Sequence, residues 1–507
     1  MDISLKHEDY KFLKNVNDNS IEECIEADLA LPEYMPEILR IIKSSAEPRI
    51  VSCKLVGERV TVDGICELRM IYTAEDGCIY CFSQSRPFTR HCENEAFGDA
   101  VDVTADLDVS YVNCRATGTK RAEIKCGVVI RVSAFVQDCI DIVSLKEKSN
   151  IQEKTENIKA MSLGCRKTRQ FSMSDSVSLK IPAAFVVSVG AVANCTDIRK
   201  ISNKIMVKGD AVVDICYVNA DDKTSTEHLK HTLPINQILE FDGMEERFSG
   251  DVVLRVVSAE VIQRNESDYS EGVFDISLGI DASATMWEEK ELSVISDAYA
   301  VGGSVELEKS PCTFYSHCAN ISETQIIRSD VKVSGEGIKA IVNVTGKIIS
   351  AEANKKDDCL VVSGTIGASL LLKDATGSLF CTEKIIDYKY EHKGEFAERD
   401  VVCVPEVVLS AIDCSVNGGN SVDVKCELRI KGTIFQKRMI DVVTNLIPCE
   451  CTVERKINAI TVYFPDEEES LWSIARKYNT TVEAIAKENE LDGDTTANHS
   501  IIFIPAV

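Results

Sequence analysis

No uncharged stretch of this 507-residue chain is long enough to cross a membrane as a helix. The longest, about 181–195, falls short of the roughly 20 residues a spanning helix needs and opens on Ile-Pro, so it reads as a buried strand pair. A targeting segment is missing too. From Met1 to Tyr10 the chain alternates charges where a signal peptide needs an apolar run, and it is expected to stay inside the cell that makes it. Positive charge is short: 56 Lys and Arg face 81 Asp and Glu, a formal net charge of −25, which repels phosphate backbones and anionic lipid surfaces. Nucleic acid is therefore not an expected partner. Phosphate-binding Gly-x-x-x-x-Gly-Lys-Ser/Thr and the Gly-x-Ser-x-Gly elbow are both absent. The seven histidines offer one pair, His228 and His231, without the Glu of a metalloprotease helix, and it reads as part of a solvated polar loop. No catalytic residue and no cofactor emerges, and a non-enzyme is expected.

Cysteine, by contrast, is plentiful at 21, an odd number scattered through a chain that is 45% hydrophobic. Disulfide scaffolds are small and poor in core, so these read as reduced, mostly buried thiols. Cys78 and Cys81, with His91 and Cys92 nearby, have the spacing of a zinc knuckle. Residues three apart on a strand point to opposite faces, however, and the later copy of this segment described below carries Ser378 for Cys78, so buried thiols are preferred and no metal is assigned. Cys449 and Cys451 fall at a junction between modules.

What the sequence does contain is a repeat. Thr61–Gly64, Met206–Gly209 and Val361–Gly364 each open a strand-like stretch that runs to a turn, at Ala74–Gly77, Ala220–Lys223 and Asp374–Gly377. First and third copies hold register at an offset of 300: Gly64 with Gly364, Cys81 with Cys381, Cys114 with Cys414, Cys126 with Cys426, Ile130 with Ile430. The middle copy keeps Gly209, and the end of Gly272–Ile280 is aligned with Ile130 and Ile430.

Within a copy, Val101, Val103, Ala105, Leu107, Val109 and Tyr111 alternate strictly, the pattern of a half-buried antiparallel strand that calls for a second layer. The fold class expected is mainly β: three repeated antiparallel β-sandwich or barrel-like modules plus a small βααβ module. The boundaries read as an N-terminal helical segment over 1–30, β repeats over 31–145, 176–295 and 312–447, and the last module over 457–507. The helix rests on apolar positions in Ile21–Leu31. Polar Lys146–Ile158 and Trp287–Leu292 read as linkers or short connecting helices, and Gly302-Gly303 as a break.

From Ile460 the period changes to strand, helix, helix, strand: Ile460–Tyr463, Leu471–Tyr478, Val482–Asn489 and Ile501–Pro505, with Thr480-Thr481 ahead of the second helix as capping residues. Leu471-Trp-Ser-Ile-Ala-Arg-Lys-Tyr-Asn-Thr-Thr-Val-Glu-Ala-Ile-Ala-Lys-Glu-Asn489, followed by Ile502-Phe-Ile-Pro505, resembles the LysM family. That family's modules bind N-acetylglucosamine polymers, chiefly peptidoglycan, between two loops. Here Glu468, Glu469 and Ser470 stand where its first loop reads Gly-Asp-Thr, and Thr496–Ser500 replaces the Pro-Gly before the last strand. A neutral sugar docking there meets four consecutive acids, which are costly to desolvate.

The repeats ahead of this module resemble the domain found in SipL-like spore coat morphogenetic proteins, which join such domains to a C-terminal LysM. That resemblance implies a scaffold in the mother-cell cytoplasm at the forespore surface, whose LysM-like module binds the SpoIVA-type morphogenetic ATPase while the β modules recruit other coat proteins. The alternative is a peptidoglycan-binding anchor of the spore cortex or cell wall. The partner-binding residues expected are Trp472, Leu471, Ile460 and Lys456, with Trp472 serving either the module's core or a partly exposed anchor.

Overall fold

The structure is a computed structural model that describes residues 4–146, 150–241, 243–264, 272–333, 337–449, 460–466, 469–491 and 501–505, with the backbone alone over 14–19. Alternation dominates it. In the first module β1 (Leu5–Ala30), β2 (Arg40–Val56), β3 (Arg59–Thr73), β4 (Ile79–Glu93), β5 (Ala100–Gly118) and β6 (Arg121–Leu145) form two antiparallel sheets, in the orders β1-β6-β5 and β2-β3-β4. Val60, Val62, Cys66, Leu68, Met70 and Tyr72 of β3 face Ile124, Cys126, Val128, Ile130 and Val132 of β6 in one core. Burying one face of each sheet against the other gives a sandwich. At its centre the Cys66 and Cys126 sulfurs lie 4.0 Å apart.

The plan recurs twice. β7 (Ile151–Ser178), β8 (Ala183–Ile201), β9 (Lys204–Asn219), β10 (Thr226–Glu240), β11 (Ser249–Arg264) and β12 (Val273–Ala300) make the second module, with sheets β11-β12-β7 and β10-β9-β8. The third comprises β13 (Ser304–Lys332), β14 (Ile338–Lys356), β15 (Cys359–Asp374), β16 (Leu379–Lys393), β17 (Val401–Cys403), β18 (Glu406–Val416) and β19 (Ser421–Cys449). Its sheets are β14-β15-β16 and β13-β19 with β17 and β18 on the far edge of β19.

One ribbon from each module runs far beyond its sandwich. The pairs β1/β6, β7/β12 and β13/β19 share one register: Tyr10 opposite Ile140, Ile158 opposite Leu292, Cys312 opposite Ile440. Apolar residues of all three ribbons meet in a common core built on Tyr10, Ile142, Ile158, Val294, Phe314 and Val442. A second apolar cluster continues along the ribbons toward Leu5, Ala300 and Leu446. The other sheets meet as well, through Ile71, Cys216 and Leu371, which occupy equivalent positions on β3, β9 and β15. The three modules thus pack in an approximate threefold arrangement.

Each contact between those sheets uses a bulge. Ile42, Val187 and Val342 are the extra residues where the register of β2, β8 and β14 shifts. A bulge leaves its carbonyl outside the ladder. Arg69 of the first module donates to Val187 O (2.9 Å), and Thr226 of the second donates to Val342 O (2.9 Å).

Several expectations are corrected. Residues 5–30 form the long strand β1 and not a helix: Ile25, Ala27, Leu29 and Leu31 are buried every second residue. The supposed linker 146–158 contains the start of β7, and Trp287–Leu292 lies inside β12, so both belong to the ribbons. The modules accordingly begin and end further out than the repeat boundaries suggested. The stretch 181–195 enters the single strand β8 and not a strand pair. His228 and His231 sit within β10, not in a loop. The bulge in β11 makes Ile280 the counterpart of Val128 and Leu428, which leaves Ala282 as the counterpart of Ile130. Among the described residues no helix is long and apolar enough to cross a membrane.

Candidate partner-binding site

The last module is built from β20 (Ile460–Tyr463), α1 (Leu471–Tyr478), α2 (Val482–Glu488) and β21 (Ile502–Pro505). Both helices are capped from the sequence. Ser470 Oγ accepts from Ser473 N (3.2 Å), and Thr481 Oγ1 accepts from Ala484 N (3.0 Å), satisfying donors the helices leave free. Asn479 ends α1 in the left-handed conformation, at φ 55°. Leu471, Ile474, Ala475, Ile485, Ile502 and Ile504 form the core.

That core is completed from outside. Tyr299, near the end of β12, is buried in it. Its ring meets that of Trp472 edge-on at 4.9 Å, and its hydroxyl donates to Thr480 O (2.8 Å). Gly302 N, in the turn after β12, donates to Asn479 Oδ1 (3.0 Å). Asp297 Oδ2 accepts from Trp472 Nε1 (2.9 Å) and from Arg476 Nη1 (2.8 Å), and Lys309 lies 3.4 Å from its other oxygen. Burial alone raises the pKa of Asp297, but the Trp472 bond and the charges of Arg476 and Lys309 outweigh it and hold the group below its ordinary value. The helical side of the small module is therefore fixed to the second β module.

The opposite side is open and apolar. On β20 and β21 alternate residues turn outward: Val462 pairs with Phe503 and Ile460 with Pro505. Ile460 is 49% exposed, Val462 51%, Phe464 68% and Phe503 44%, with Ile501 beside them at the start of the strand. A polar cluster lies on the helix-facing side of β20. Tyr463 donates its hydroxyl to Glu469 (2.9 Å), accepts from Lys477 Nζ (3.3 Å) and packs against the Tyr478 ring at 5.4 Å. The bond to Glu469 pushes the Tyr463 phenol up. Of the four acids ahead of α1, Glu469 is thus held by the module itself, and Glu467 and Glu468 lie outside the described residues.

The residues expected at the site are separated by the structure. Leu471 is fully buried, Trp472 is half-buried against Asp297 and Tyr299, and Ile460 belongs to the exposed face. Lys456 and Thr496–Ser500 lie outside the described residues. Sequence reasoning missed Asp297 and Tyr299. Their signal was the alternation of Leu292, Val294, Ala298 and Ala300, which carries β12 up to the Gly302 turn. Of the zinc-knuckle residues, Cys81 packs into the cluster between modules and Cys92 into the first sandwich, so they face different interiors.

Comparison with known protein families identifies two segments. The family described as SipL, SPOCS domain matches residues 37–117, which spans β2 to β5, and the LysM domain family matches 467–498. No curated protein and no solved structure gives a match. The chain is SipL-like in carrying a SPOCS domain together with a C-terminal LysM domain, the composition of a sporulation-related protein associated with coat or cell wall. Both are non-catalytic domain families.

Proposed function

Starting from a chain with a SPOCS domain and a LysM domain, we propose a non-enzymatic scaffold for spore coat assembly, acting in the mother-cell cytoplasm at the forespore surface. Its LysM module binds a SpoIVA-type morphogenetic ATPase, and the β modules gather other coat proteins. The observation that carries this reading is the apolar face of Ile460, Val462, Phe464 and Phe503, turned outward while the helical side is docked on Asp297 and Tyr299. Contiguous exposed apolar residues suit a protein contact better than a hydrated sugar chain. In this reading Ile460 touches the partner, with Lys456 close to it in the chain. Leu471 and Trp472 act from beneath, by fixing α1 and aiming the face.

The test is binding of the full-length protein to the purified ATPase and, in parallel, to insoluble peptidoglycan. Val462→Glu and Phe503→Glu are expected to lower affinity for the ATPase at least about tenfold while the melting temperature holds, since burying a new charge in an interface costs more than about 1.4 kcal/mol. Retention on peptidoglycan alone, indifferent to both substitutions, would replace the scaffold with a wall or cortex anchor.

A further inference from the structure

Of the three sandwiches, the first carries a cysteine on both sides of its central contact. Cys66 stands on β3, the middle strand of one sheet, and Cys126 on β6, the middle strand of the other. Both side chains are fully buried, and their sulfurs lie 4.0 Å apart across the space between the sheets. The counterparts of Cys66, each two residues beyond a repeated glycine, are Ala211 on β9 and Ile366 on β15. Those of Cys126, set by the bulges of β5, β11 and β18, are Leu278 on β12 and Cys426 on β19. Each of these pairs is core as well, but neither offers a second sulfur.

The pair in the first module is placed to react with itself. Hydrogen bonding between the sulfurs pushes the Cys66 thiol up and holds that of Cys126 below its ordinary value, so Cys126 loses its proton first. A disulfide measures about 2.0 Å between sulfurs, and the remaining distance is divided between two side chains. The described cysteines are all free thiols, so the bond is an added state and not one the fold needs.

We propose that Cys66 and Cys126 are an oxidation site, at which a small disulfide oxidant such as oxidised glutathione joins them into one bond that staples the two sheets of the first module. The Cys126 thiolate attacks the oxidant, forming a mixed disulfide and releasing one thiolate. Cys66, deprotonated in turn, attacks the Cys126 sulfur and releases the second. Two S–H bonds are lost and one S–S bond is made, and the two electrons and two protons leave with the oxidant as two thiols. Full burial means that the oxidant reaches the pair only while the sandwich is open, after which reclosing brings the sulfurs together. The bond joins residues 60 apart in the chain, and it hinders the same opening that admitted the oxidant.

The experiment incubates the full-length protein in a glutathione buffer rich in the disulfide form, with urea kept below the unfolding midpoint so that openings are frequent. Remaining thiols are alkylated, and linkages are mapped by mass spectrometry of a non-reduced digest. The expected product is the Cys66–Cys126 linkage in most molecules, formed faster as urea is raised. Once urea is removed, amides of β3 and β6 should exchange at least about tenfold more slowly than in the reduced protein. Cys66→Ala, which copies Ala211 of the second module, should exchange alike in both buffers. Should that variant fail to fold, Cys126→Ala serves the same purpose. Alkylation of both cysteines, linkage of either one chiefly to another cysteine, or unchanged exchange in the linked protein overturns the proposal. Slower exchange of the Ala variant in the oxidising buffer does the same.

Discussion

Trp472 donates its indole N–H to Asp297 Oδ2 at 2.9 Å across 175 residues of sequence, and Arg476 meets the same oxygen. One carboxylate on β12 therefore joins Tyr299 and Gly302 in fixing the orientation of the C-terminal module. Asp297→Ala is expected to loosen the dock by about 1–3 kcal/mol, because Trp472 and Arg476 lose a shared charged acceptor. The check is hydrogen exchange: amides of α1 should exchange faster while the three sandwiches keep their protection. The pH dependence follows from the lowered pKa. A carboxylate held below its ordinary 3.8 contributes stability above that value and loses it as the pH falls through the folded pKa. Docking should therefore be unchanged from neutrality down to about pH 5 and weaken below about pH 4. Identical exchange of α1 at neutral and acid pH would count against Asp297 as the anchor.

The repeated glycines make a graded prediction. A Cβ on Gly209 would strike the Asn194 carbonyl oxygen, and one on Gly364 the Ser350 carbonyl oxygen, both backbone atoms of the neighbouring strand. On Gly64 it would strike the ring of Phe88, a side chain able to move. Gly209→Ala and Gly364→Ala are expected to destabilise by about 1–3 kcal/mol, and Gly64→Ala by less. Urea unfolding of the three variants ranks them, and a larger loss for Gly64→Ala would contradict the geometry.

These glycines also mark what was legible in sequence. Their spacing disclosed three copies, and the C-terminal pattern gave both helices and both strands to within a residue. The N-terminal strand was misread because Ile21, Ile25 and Leu29 fit a helical stripe, while Glu23 breaks the alternation on the inward side. In the fold Glu23 is neutralised there by Arg90 from β4. The start of β7 looked like a linker because Lys154 and Glu156 are polar, although Ile151, Ile158 and Ala160 are enough to reach the shared core. The dock itself had no local signature, since it joins residues far apart in the chain.

The bulge carbonyls predict what couples the modules. Arg69→Leu removes the donor to Val187 O, and Thr226→Val removes the donor to Val342 O with little change of shape. Arg69→Leu is expected to cost at least about 1–3 kcal/mol, since it leaves the Val187 carbonyl without its donor and Glu47 and Glu67 without their cation, and Thr226→Val less, because His228 still reaches the Val342 carbonyl. Calorimetry distinguishes a seam effect from a local one: a coupled loss should split or broaden the unfolding profile relative to the parent, whereas a profile of unchanged shape shifted to lower temperature would place the cost inside one module.

At the second of those carbonyls His228 adds a titratable group. Its Nε2 lies 3.3 Å from Val342 O, and its Nδ1 lies 3.9 Å from Asp214. The nearby Asp214 first, then Cys216, pushes the imidazole pKa up to about 10. A raised pKa contributes stability that is complete below the ordinary 6.5 and is lost as the pH climbs through the folded value. His228→Gln should therefore be less stable than the parent by a constant margin below about pH 6, and the margin should shrink steadily above that until it vanishes near about pH 10. Because nearly half of the side chain is exposed, the margin is small, and the sharper observable is the imidazole signal itself. Titration of His228 near 6.5 would remove the ionic part of this contact and leave Thr226 as the donor that joins the second module to the third.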